Sequence, residues 1–133
     1  FAYAYRKLLS SGARLCAGSD FPVEEPDPRL GLHAAITRQD LSLQPPGGFT
    51  PSERLTLGEA LRAFTTDAAY AAFMENQVGQ VMAGRLADLT VLEGALSLTD
   101  PVAGDPAGAI IPRRKVLLTV VNGKVVHDGL AQR

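Results

Sequence analysis

The stretch Ala13-Arg14-Leu15-Cys16-Ala17-Gly18-Ser19-Asp20, residues 13–20, decides the reading of the fold. Its first five residues are short and largely apolar, which predicts a buried strand over 13–17 with Cys16 inside it as an inert thiol. Two small residues and an Asp follow abruptly. Just upstream, Ala2, Tyr5, Leu8 and Leu9 recur at i, i+3, i+6 and i+7, Lys7 lies near the end, and Gly12 stands where a helix C-cap belongs. This predicts a helix over 2–11. A helix, a Gly, a short buried strand and a polar residue at the strand's C-terminal end are the grammar of an α/β barrel or a doubly wound sheet. In barrels that end of the strand carries the catalytic groups, so Asp20 is the leading candidate. A carboxylate there can bind a metal, accept a proton, or do both. The competing reading is an Asp that caps its own turn.

Working outward, proline divides the chain. None occurs in 1–21, six fall in 22–51, none in 52–100 and three in 101–112. Asp27-Pro28 is an N-cap and N1 pair that opens a helix running to about Arg38, with Leu32, Ala35 and Ile36 turned inward. Residues 41–51, with Pro45-Pro46-Gly47-Gly48, read as a surface excursion. Thr56-Leu57-Gly58-Glu59 is a capping box, and the helix behind it places Leu57, Leu61 and Phe64 on one face. Asp67 can cap a second short helix, Ala68–Met74. From Val78 the period changes from 3.6 to 2, so 78–133 reads as mostly β with an irregular excursion over 94–112. Asn122-Gly123 is a strong hairpin signal. The expected domains are 1–76, helical and barrel-like, and 77–133, β.

Composition excludes several functions. The chain has 133 residues, 46% apolar and 20% charged, with 13 Lys+Arg against 14 Asp+Glu. A formal charge of -1 does not describe a polyanion-binding surface, so no nucleic-acid partner is expected. Gly and Pro together stay below the roughly 25–30% of low-complexity chains. One Cys makes neither an internal disulfide nor a Cys-rich zinc site. No apolar run reaches the ~18 residues of a membrane span. The chain begins without Met, inside what reads as a helix, and shows no signal-peptide pattern. The expectation is therefore a piece of a longer, cytoplasmic chain.

Other candidates are weaker. His33 has no second ligand at i+4, so a local metal site is not expected there. His127 falls in the last strand, facing solvent. Glu24, Glu25 and Asp27 make an acidic, proline-flanked loop, solvated by default and an active-site rim in the sharper reading. Asp88, opening a strand after Gly84-Arg85-Leu86-Ala87, reads as an acceptor for backbone amides at a turn.

Four segments occur in a telling order: Gly18-Ser19-Asp20-Phe21-Pro22-Val23; Ala34-Ala35-Ile36-Thr37-Arg38; Leu57-Gly58-Glu59-Ala60-Leu61-Arg62-Ala63-Phe64-Thr65; and Val78-Gly79 through Gly84-Arg85-Leu86-Ala87-Asp88-Leu89. From about Leu8 to Gly129 the chain resembles the C-terminal part of the amidohydrolase superfamily, in particular the amidohydrolase 3 family, with its N-substituted formamide deformylase-like and D-aminoacylase-like enzymes. The resemblance implies an α/β fold: the C-terminal piece of a TIM-like (β/α)8 metal-dependent hydrolase barrel, followed by part of a small β-sandwich. It implies hydrolysis of a non-peptide C–N bond in a small-molecule amide or formamide by a metal-activated water. Asp20 matches the Asp closing barrel strand 8, a metal ligand and proton shuttle, with Ser19, Phe21 and Pro22 shaping the pocket. The implied cofactor is a divalent metal, zinc foremost, as one ion or two.

The family's His-x-His and its later Lys or Glu and His ligands have no counterpart among the 133 residues, so most metal ligands are expected outside them. Such a piece is expected to be inactive alone, in a parent that can form homo-oligomers. The alternative is a non-catalytic β-rich binding or assembly module derived from a degenerated hydrolase.

Overall fold

Gly12 ends the first helix through the carbonyl-satisfying motif expected of a glycine C-cap. Its φ is +88°, its N–H donates to the Leu9 carbonyl and the Ala13 N–H reaches back to the Leu8 carbonyl, the 6→1 and 5→2 bonds of a Schellman ending. The computed structural model describes residues 2–95 and 111–131. Helix α1 spans Tyr5–Ser10. It starts later than the predicted residue 2 because Tyr3 sits in the left-handed region, at φ 57°.

The predicted strand 13–17 forms no ladder. Strand geometry is stabilised by a neighbour's backbone, and no strand lies beside these residues among the described ones. The Ala17 N–H donates instead to the Ala63 carbonyl at 3.0 Å. Without a covering neighbour, Cys16 is exposed rather than buried.

Helix α2 runs Pro28–Thr37. The Asp27 carboxylate accepts from the Arg29 N–H at 3.0 Å, Pro28 occupies the first turn, and Arg38 closes the helix in the left-handed conformation. Helix α3, Leu57–Phe64, begins with the complete capping box of Thr56 and Glu59. Helix α4 occupies Thr66–Ala71 rather than 68–74. Only Thr65 separates it from α3, so Asp67 lies inside its first turn instead of capping it. Phe73, at φ 58°, ends the path before Met74.

The core lies where α2 and α3 meet. Leu32 and Ile36 from α2, Leu55, and Leu57 and Ala60 from α3 close around Ile111, with Tyr5, Leu9, Leu15 and Phe64 packed against them. Ala35, expected inside, is half-buried. Full burial of an Ile stabilises by about 1.5–3 kcal/mol, and both Ile36 and Ile111 are fully buried. Close packing of α2 on α3 depends on Gly31. A methyl there would run into the Phe64 ring.

Residues 78–88 form no strand, contrary to the period-2 reading. Val81 and Met82 are exposed while Val78 and Gly79 are half-buried, so only the start of this stretch is covered, and an apolar alternation without a covering layer along its length does not make a strand. The Leu86 N–H closes the loop onto the Gln77 carbonyl at 2.8 Å. The sheet is an antiparallel meander of β1 (Leu89–Leu92), β2 (Val116–Val121) and β3 (Lys124–Asp128), in the order β1-β2-β3. Asn122 and Gly123 both take positive φ, 48° and 74°, as a two-residue hairpin of the primed type requires. Asp88 does accept a turn amide, but from across the sheet: Asn122 N–H donates to its carboxylate at 2.6 Å. His127 is exposed on β3, as expected. The irregular excursion falls largely on 96–110, outside the described residues.

Candidate functional site

The segment 13–19, fastened to α3 at Ala17, ends in a tight turn that carries Asp20. Asp20 has φ 51°, a left-handed conformation that Asp adopts more readily than most residues. Its carbonyl accepts from Val23 N–H at 2.9 Å, and the Ser19 carbonyl accepts from Glu24 N–H at 3.2 Å. The chain thus leaves the segment, turns back on itself and returns beside Ser19. The Phe21–Pro22 peptide inside the turn is cis.

The predicted site residues share this turn. Ser19 is half-buried; Asp20, Phe21 and Pro22 are exposed. Asp20 presents an exposed carboxylate beside apolar Phe21 and Val23, with Glu24 and Glu25 next along the chain. Arg29, the first cation beyond, is held by the Asp27 carboxylate at 2.5–2.9 Å and donates to the Arg114 carbonyl at 2.6 Å. The Arg29 guanidinium keeps the Asp27 carboxyl below its ordinary range.

Neither histidine joins Asp20. His33 is buried on α2 with Nε2 3.0 Å from the Asp40 carbonyl, and His127 Nε2 lies 3.2 Å from the Val116 carbonyl. Among the described residues no three His, Cys, Asp or Glu side chains meet in a group that could hold a metal ion. Asp20 has the right donor chemistry for a divalent cation. A catalytic zinc usually takes three protein ligands, so the described residues do not by themselves fit a complete metal site.

Two features escaped the sequence reading. Arg38 is buried, with its guanidinium 5.3–5.8 Å from the rings of Tyr3, Tyr5 and Phe49 and its Nε donating to the Phe49 carbonyl at 3.0 Å. In sequence it appears only as the end of the segment Ala34–Arg38, directly after α2, which gives no sign of its burial. The second is the pair Arg6–Glu59. Arg6 grips both carboxylate oxygens at 2.6 Å and the Arg54 carbonyl at 2.8 Å. This hydrogen-bonded cation, helped by the Thr56 cap, lowers the Glu59 carboxyl to about 2. Glu59 also borders a cleft of about 440 Å³ with Arg14, Arg62 and Tyr70, whose lining includes none of Ser19, Asp20, Phe21 or Pro22.

The sequence profile described as "Amidohydrolase family" matches residues 1–127. The amidohydrolase-like protein YtcJ of Bacillus subtilis (strain 168) is 35% identical over 127 residues, 96% of this chain and 23% of its own length. The N-substituted formamide deformylase of Arthrobacter pascens is 31% identical over 126 residues, 95% of this chain and 21% of its own. The chain therefore spans about a quarter or less of these relatives. A crystal structure of an amidohydrolase from Thermotoga maritima MSB8 superposes with a TM-score of 0.60 at 19% identity, covering 95% of this chain and 26% of the other. That likeness concerns the fold. No helix among the described residues is long and apolar enough to cross a membrane.

Proposed function

Because this chain belongs to the amidohydrolase family, we propose that it supplies one wall of a hydrolase active site, with Asp20 as the catalytic carboxylate. The observation that carries this reading is the position of Asp20. It stands exposed on a left-handed turn at the end of a segment fastened to α3, in a chain that matches the family almost throughout. We read residues 1–76 as the last strand and helices of a (β/α)8 barrel and 77–133 as part of a β-sandwich. A complete barrel takes about 250 residues, and the relatives are several times longer than this chain.

In the proposed reaction a water attacks the carbonyl of a non-peptide amide or formamide. Asp20 accepts the proton that the water loses and returns it to the departing nitrogen, so one carboxylate serves as base and then as acid. Ser19, Phe21 and Pro22 border the bound substrate. A divalent metal, zinc foremost, would lower the pKa of water towards ~7. Asp20 would be one of its ligands, the rest coming from the complete protein, which we propose works as a homo-oligomer.

The test is Asp20→Asn in the full-length protein. The expected result is a fall in kcat of at least about 10²-fold with the fold retained. Near-normal turnover with an unchanged metal content overturns the role. A second reading, a non-catalytic β-rich binding module, draws on the exposure of Val125 and Val126 on β3; full activity of the wild-type protein on amides would dismiss it.

A further inference from the structure

Two unmet requirements meet in one cleft. Arg14, Leu15 and Cys16 have strand composition, yet their backbone N–H and C=O groups take no backbone partner among the described residues. Hydrogen bonds hold the segment at its two ends, from Ala13 N–H to the Leu8 carbonyl and from Ala17 N–H to the Ala63 carbonyl. Leu15 packs against the α2–α3 core. The segment is thus fixed in place with its edge open, a template for another strand. Ala13, Arg14 and Leu15 line the cleft of about 440 Å³, and Glu75 lines it too. Glu75 Oε2 is buried without a hydrogen-bond partner among the described residues. The cations close by are engaged elsewhere. Arg85 donates to the Glu75 main-chain carbonyl, and Arg14 stacks on the Tyr70 ring, 4.1 Å from its centroid. A buried carboxylate oxygen left unpaired is costly, and a cationic donor offsets that cost best.

More of the same protein meets both requirements. This chain covers 23% of YtcJ and 21% of the formamide deformylase, so more than three quarters of each relative lies outside the matched part. We propose that the cleft seats an extended segment from the corresponding remainder of the full-length protein. That segment pairs with the open edge of residues 13–16 and brings a lysine or arginine to Glu75. Glu75 then acts as a latch: it ties the segment that leads to Asp20 into the rest of the molecule, from a position well along the chain from Asp20 itself. The inference rests on the reading of residues 1–76 as part of a barrel and is independent of the role given to Asp20.

The experiment is amide hydrogen exchange read by mass spectrometry on the full-length protein, together with carbodiimide labelling of its carboxylates by glycine ethyl ester. The amides of residues 14–16 are expected to exchange at least about 10²-fold more slowly than in an unstructured chain. Glu75 is expected to resist labelling in the native protein and to react once the protein is unfolded in urea. Glu75→Gln keeps the shape of the side chain and removes its charge. Exchange at 14–16 should then quicken by roughly 10-fold or more, with the amides of α2 and α3 unchanged. Slow exchange at 14–16 with a freely labelled Glu75, or with rates unmoved in Glu75→Gln, overturns the latch and leaves the barrel reading standing. Rapid exchange at 14–16 in the wild-type protein overturns both. Protection that is lost on dilution assigns the cleft to a second copy of the chain and overturns the inference as well. Should Glu75→Gln fail to fold, exchange and labelling of the wild-type protein decide the question.

Discussion

At the scale of single residues, Glu59 does two jobs that a substitution can separate. Its carboxylate closes the capping box of α3 and receives Arg6 from α1. Gln at this position keeps the cap, since Glu and Gln both serve at N3, but loses the charge that holds Arg6. The lowered carboxyl means that folded Glu59 binds its proton more weakly than unfolded Glu59. The associated stability is full above the ordinary carboxyl pKa of 4.5 and is lost as pH falls towards about 2. With the Arg6 side chain 34% exposed, solvent screening reduces the contribution to about 1–2 kcal/mol. Glu59→Gln should therefore cost about 1–2 kcal/mol at pH 7, and the gap to wild type should close between pH 4.5 and 2. Urea unfolding of the segment, followed by circular dichroism below the concentration of self-association, reads both. Thr56 and Glu59 were legible as a capping box because all its partners lie within four residues. Arg6 was not, because the grip on Glu59 joins residues far apart in sequence.

At the scale of elements, the contact of α2 with α3 turns on Gly31. Gly31→Ala should destabilise by about 1–3 kcal/mol through forced displacement of the Phe64 ring, read as a lowered unfolding midpoint. Gly31→Ala combined with Phe64→Leu should recover part of the loss. The elements found from sequence share one property: each is stabilised by its own residues. α2 carries Asp27 and Pro28, α3 its box, and the β2–β3 hairpin its Asn122-Gly123 turn. The elements that did not form among the described residues as expected need something beyond themselves. Residues 13–17 have strand composition but no adjacent strand among the described residues. Residues 78–88 alternate, but only their start, at Val78 and Gly79, is covered. α4 moved because Thr65 is the whole connection between two helices. The candidate site was legible in part for the same reason. Asp20 and its turn are local, whereas any metal cage around it would draw on distant chain.

At the scale of the whole molecule, apolar surface is distributed unevenly. Phe73 and Val81 are almost entirely exposed, and Val125 and Val126 stand more than half exposed on a three-stranded sheet with unpaired outer strands among the described residues. An uncovered sheet edge beside apolar side chains is a template for association. The 133-residue chain, made alone, should therefore form oligomers or aggregates that grow with concentration. Light scattering coupled to gel filtration measures this; a monodisperse monomer across a wide concentration range would contradict it. The burial of Ile111 carries a consequence for biosynthesis. The floor of the α2–α3 core arrives from the far side of the sequence, and Arg29 waits for the Arg114 carbonyl in the same way. At about 5–20 residues per second, roughly 4 to 15 seconds of translation separate Ile36 from Ile111. During that interval the nascent helices have their caps but not their keystone, and the ribosome must release the second half before the first half can finish folding.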